Sequence, residues 1–164
     1  MNTKKLTTLS ICVALAMILS FIESQIPPIV AVPGVKIGLA NALSLFLLYA
    51  YGAREAAAVS FIRVCLSALL FGSAVSFIYS LSGAVLSLLG MMLLKKIPIF
   101  TTLTVSVSGA VLHNTAQIAV ACLIMENAAI AYYLPALIIS GTLSGVAIGA
   151  LAALLLKKLN KIIR

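Results

Sequence analysis

Apolar residues run through this chain in long stretches, each broken by proline, glycine or charge. The pattern predicts helices over residues 6–26, 35–51, 56–71, 75–94, 100–124 and 133–156. Pro27 and Pro28 stop the first stretch, and Pro33 and Gly34 give the following loop a defined path. Gly52, Arg54 and Glu55 mark the next turn, and Gly72 the one after it. Lys95, Lys96 and Pro98 end the fourth helix, while Glu126 and Asn127 open the last link. About 20 apolar residues cross a bilayer, so the chain has room for roughly six spans joined by short links. The expected fold is an all-α integral membrane protein with six transmembrane helices. Residues 1–164 form a single transmembrane domain, placed in the cell membrane as a multi-pass protein.

Composition removes the soluble alternative. The chain is 63% hydrophobic and only 9% charged, whereas a soluble domain carries about 25% charged residues. Too few polar side chains remain to cover a water-facing surface. The first eight residues and the apolar run after them resemble a signal peptide in outline. The run continues to Ile22 without a clean small-residue cleavage site, which predicts a retained first helix. Cys12, Cys65 and Cys122 lie far apart in apolar runs and read as small buried hydrophobes.

The net charge of +8 is mostly an orientation signal. Lys4, Lys5, Arg54, Lys95, Lys96, Lys157, Lys158, Lys161 and Arg164 all fall on one side of a six-span chain. The positive-inside rule makes that side, and both termini, cytoplasmic. Lys36 is the lysine assigned outside.

Polar residues within the spans cost free energy and point to a cavity or a partner. Arg63 lies mid-span, sharing a helix face with Ser60 and Ser67. It either pairs with a carboxylate or caps a broken helix, or it contacts an anion or headgroup; no acid lies at an obviously matching depth. His113, Asn114 and Gln117 form the densest polar cluster, with His113 and Gln117 one turn apart. They either bond neighbouring helices together or line a polar cavity. Glu23, Lys36, Asn41, Tyr79, Glu126 and Asn127 converge on the same outer half. The candidate substrate-binding residues are therefore Lys36, Asn41, Arg63, Tyr79, His113, Asn114 and Gln117, roofed by the link from Pro27 to Lys36.

Small residues four apart allow close helix approach in lipid. Gly141, Gly145 and Gly149, flanked by Ser140 and Ser144, mark one face of the last helix, for packing within the chain or for a partner. Ser10 with Ala14, and Ala16 with Ser20, mark the first helix as a candidate partner interface.

The chemistry that is missing narrows the function. The chain has no Walker A sequence and no aspartate, hence no P-loop and no Asp-rich motif to hold Mg²⁺ against a diphosphate. His113 has no acid of suitable depth for a Ser–His–acid arrangement, and a lone His with distant Glu residues lacks metal-ligand spacing. No catalysis, cofactor, metal or nucleic-acid binding is expected.

Three segments carry a resemblance: Pro33-Gly34-Val35-Lys36-Ile37-Gly38-Leu39-Ala40-Asn41, Tyr79-Ser80-Leu81-Ser82-Gly83-Ala84, and Gly109-Ala110-Val111-Leu112-His113-Asn114-Thr115-Ala116-Gln117. Together they resemble the family labelled heptaprenyl diphosphate synthase component I, also called the Gx transporter family. That family in turn resembles the S components of energy-coupling-factor vitamin transporters. The resemblance implies an S-component-like bundle with a small organic ligand bound at the extracytoplasmic face; Lys36, with Arg63, suits a carboxylate or phosphate on that ligand. It also implies a transmembrane coupling subunit and cytoplasmic ATPases as partners, docked through an Ala-x-x-x-Ala motif on the first helix. Here serine replaces one alanine in each nearest match. The alternative is a non-catalytic membrane component of polyprenyl (heptaprenyl) diphosphate synthesis, or a structural membrane protein. Recognised prenyl synthases use Asp-rich motifs that this chain lacks.

Overall fold

The chain is described by a computed structural model over residues 3–25 and 39–163, with side chains through Lys158. Among the described residues it is all-helical. The helices are α1 (Thr3–Gln25), α2 (Asn41–Ala50), α3 (Ala53–Phe71), α4 (Ala74–Lys95), α5 (Thr102–Ile124) and α6 (Leu134–Ile163). A 3-10 turn, Ala128–Tyr133, precedes α6.

Local chemistry sets the breaks. Between α2 and α3, Gly52 takes φ +113°, a region open to glycine at little steric cost. The Tyr51 and Gly52 N–H groups then both donate to the Leu47 carbonyl, at 2.8 and 3.0 Å. Ser73 caps α4 by accepting from the Ser76 N–H at 3.2 Å, and Thr101 caps α5 by accepting from Thr104 at 3.3 Å. Each supplies an oxygen to a helix-terminal N–H that has no partner within its helix. Pro135 sits in the first turn of α6, where a missing N–H costs nothing.

The distribution of polarity is inverted relative to a soluble protein. Leu69 is 81% exposed and Leu143 69%, whereas Arg63 is 5% exposed and Asn114 and Gln117 are wholly buried. Such an apolar exterior is suited to lipid and would aggregate in water. Among the described residues, four segments are long and apolar enough to cross a membrane: α1, α4, α5 and Ala128–Lys158, which contains most of α6. The six predicted helices are therefore present, but α2 and α3 differ from the rest. α3 carries Arg54, Glu55 and Arg63.

The second helix begins later than its apolar pattern predicts. Leu39 and Ala40 form a turn, with the Ala42 N–H bonded to the Leu39 carbonyl at 3.1 Å, and α2 starts at Asn41. Its 10 residues rise about 15 Å, half of a hydrocarbon core about 30 Å thick. The predicted start at 35 and the loop before it lie outside the described residues.

The ends of the bundle are distinct. Lys5 of α1 pairs with Glu55 of α3, and Lys95 of α4 donates to the Leu48 carbonyl of α2 at 2.7 Å. The Lys95 ammonium also sits 4.9 Å from the centre of the Tyr49 ring. With Arg54 and Lys96, these residues define a basic end. A large apolar cluster lies toward it, containing Cys12, Leu45, Leu48, Val59, Met91 and Val105. A smaller cluster of Tyr79, Ile118, Ala121, Ile130 and Leu137 lies toward the far end.

Glycine brings the last helices together. A Cβ at Gly145 would stand 2.8 Å from the Val107 Cα, and one at Gly149 2.9 Å from the Leu103 Cα. The glycine face of α6 therefore packs on the α5 backbone within the chain. Of its two readings from the sequence, internal packing is the one realised.

Candidate functional site

Between the two apolar clusters lies a layer of buried polar side chains. Along α5, Val105 belongs to the first cluster and Ile118 to the second, and the buried residues between them include Ser106, His113, Asn114 and Gln117. Along α4, Ser80, Gly83 and Ser87 separate Tyr79 from Leu88 and Met91 in the same way. α3 contributes Ser60, Arg63 and Ser67, and α1 contributes Ser20 and Glu23. Asn41 and Ser44 enter from α2. Five helices thus turn polar side chains into the interior between the clusters, because lipid offers these groups no hydrogen bonds.

Some of these groups bond to one another. The Ser44 and Ser60 hydroxyls lie 2.6 Å apart, joining α2 to α3. The Ser67 hydroxyl donates to the Met17 sulfur at 3.6 Å, joining α3 to α1. The Asn114 amide donates to the Leu137 carbonyl at 2.7 Å, joining α5 to α6. The His113 ring occupies the space left by Gly83, where a Cβ would come within 2.6 Å of it.

Other groups are buried without a hydrogen-bond partner. They include Ser20 Oγ, Asn41 Nδ2, Arg63 Nε and Nη2, Ser87 Oγ and Asn114 Oδ1. An unmet buried donor or acceptor costs about 1–3 kcal/mol, and more when charged. So many in one layer is a large expense for a fold that needed only to pack helices.

The structure separates the candidate residues predicted from sequence. Asn41, Arg63, His113, Asn114 and Gln117 are all buried on faces turned into the layer. Tyr79 is buried as well, but it belongs to the apolar cluster beyond the layer. Lys36, and the loop expected to roof the site, lie outside the described residues. Glu126 and Asn127 do not join the site: both are exposed, and Asn127 accepts from the Ala129 N–H at 2.9 Å to cap the 3-10 turn.

Two further expectations change. Glu23 is buried, and its charge bears on Arg63 from a different depth. Met17 and Ser67 mark equal depth on α1 and α3. Glu23 lies about 9 Å beyond that level and Arg63 about 6 Å short of it. The two backbone depths differ, and the long range of charge in a poorly screened interior carries the effect between them. Glu23 also accepts from the Leu39 N–H at 3.4 Å. On α1, Ser10 and Ala14 are exposed, but Ala16 and Ser20 are buried within the chain. The second small-residue pair thus lies inside the chain, where small side chains let α1 lie close to its neighbours.

Among the described residues, no group of three or more His, Cys, Asp or Glu side chains is placed to hold a metal ion. Fold and site together define a helical membrane protein with a polar layer sealed between apolar clusters. Residues 12–155 match the family described as heptaprenyl diphosphate synthase component I, and the chain belongs to that family. No curated protein and no solved structure matches the chain.

Proposed function

We propose that this chain is the substrate-binding membrane subunit of an importer of the energy-coupling-factor type. It captures a small organic molecule in the polar layer, from the end opposite the lysines. The carrying observation is the set of buried, unpartnered groups on Asn41, Arg63 and Asn114, set beside His113 and Gln117. A ligand that meets these groups offsets their desolvation. The basic end faces the cytoplasm under the positive-inside rule. A coupling subunit docks on the exposed Ser10 and Ala14 of α1, and cytoplasmic ATPases drive reorientation. The chain itself performs no catalysis.

The family description favours a second reading, a non-catalytic membrane component of heptaprenyl diphosphate synthesis. At the basic end a cavity of about 550 Å³ is lined by Leu48, Ala53, Leu89, Met92, Leu93, Lys95 and Lys96. Apolar walls beside two lysines suit an isoprenoid tail with a phosphate head. Co-purification separates the readings. Recovery with a coupling subunit and ATPases supports import; recovery with a stoichiometric Asp-rich synthase supports the second.

A further inference from the structure

Arg63 carries information about the ligand beyond its charge. Its Nε and Nη2 are buried without a hydrogen-bond partner, and in a guanidinium these lie on the same edge. Their N–H groups point in parallel and form the side-on fork that meets two oxygens of one carboxylate or phosphate. The side chain is 95% buried by exposure, with 5% of its residue surface accessible, so bulk water does not satisfy the fork.

The surroundings of the fork are consistent with a guest anion. Neighbouring Ser67 is already engaged with Met17, and Ser60 with Ser44. The Glu23 charge bears on Arg63 from farther along α1 and partly balances it. The Nε and Nη2 donors stay unmatched in its presence.

Resting on the capture reading above, we infer that the captured molecule carries a carboxylate or phosphate group, held bidentately by the Nε–Nη2 edge of Arg63. Glu23 opposes that anion and limits how tightly it binds. An acidic substrate is thereby selected over a neutral one of equal size, because only the acid meets both donors and the charge.

The test uses the full chain in mild detergent, with inorganic phosphate and benzoate as probes and chloride at equal ionic strength as reference. Phenylglyoxal labelling of each arginine is read by peptide mass spectrometry, with exposed Arg54 as the internal control. Phosphate or benzoate should protect Arg63 and leave Arg54 unchanged, and the more protective probe distinguishes phosphate from carboxylate chemistry. Binding of that probe, followed by thermal shift, should weaken at least about tenfold in Arg63→Lys, which keeps the charge but loses the fork. Glu23→Gln should tighten it severalfold. Unchanged Arg63 labelling with both probes overturns the inference, as does binding in Arg63→Lys equal to wild type. The labelling arm needs no variant, so a poorly folded Arg63→Lys leaves the inference exposed to refutation. An organic molecule that is retained by Arg63→Lys but lost from Asn41→Ala defeats the fork and leaves the capture reading intact. Protection of Arg63 in a protein that retains no organic molecule defeats the capture reading and leaves an anion site.

Discussion

Asn114, in the middle of α5, donates its side-chain amide to the Leu137 carbonyl of α6 at 2.7 Å, while its own carbonyl oxygen has no partner. One side chain therefore does two jobs: its donor holds two helices together and its acceptor remains available. Asn114→Leu removes both. The expected loss of stability is about 1–2 kcal/mol, since interhelical hydrogen bonds in lipid are worth about 0.6–2 kcal/mol. Thermal melting in detergent, alongside ligand retention, checks this: both should fall together.

The α5–α6 seam tolerates no added volume. Gly145→Ala puts a methyl group 2.8 Å from the Val107 Cα, which is backbone and cannot swing aside. A loss of about 1–3 kcal/mol is expected from overpacking. Gly83→Ala meets a movable imidazole ring instead, within 2.6 Å. It should cost less stability and more ligand occupancy, by displacing His113. Measuring melting temperature and occupancy for both variants decides the point; equal stability losses would contradict the distinction.

Lys95 closes the basic end through the Leu48 carbonyl and the Tyr49 ring. Lys95→Met keeps the stem and removes the charge. A double-mutant cycle with Tyr49→Leu should show coupling of about 0.5–1 kcal/mol, the range of an exposed cation–π pair. Additive effects would dismiss the pairing.

On α1 the two small-residue pairs should separate cleanly. Ala14→Trp enlarges an exposed site and should abolish recovery of a coupling subunit without reducing ligand occupancy. Ala16→Trp enlarges a buried site and should impair folding itself. If Ala14→Trp leaves co-purification intact, docking does not use that face.

Much of this arrangement was legible in the sequence for a simple reason. A guanidinium, imidazole or amide inside an apolar run must turn away from lipid, so the burial of Arg63, His113, Asn114 and Gln117 follows from composition alone. Gly52 and the Gly141–Gly145–Gly149 face were readable too, because a turn and a close approach each demand glycine. What needed three dimensions was the identity of the neighbour. Four-residue spacing marks a face on α1 but does not say what covers it, so Ala16 and Ser20 read as a surface. Tyr79 carries a polar tip, yet its ring is mostly apolar and packs with Ile118 and Leu137. Glu23 and Arg63 lie at different backbone depths, and their spacing along the chain does not show that the charge of one bears on the other.

On the capture reading, the polar layer holds a small organic molecule. Native mass spectrometry of the full chain, extracted in mild detergent and compared with Asn41→Ala and His113→Ala, tests it most directly. A discrete retained mass in the wild type, reduced several-fold in both variants with melting behaviour preserved, is the predicted result. No retained mass in the wild type, or equal occupancy in all three proteins, would contradict the claim and leave the layer as helix packing.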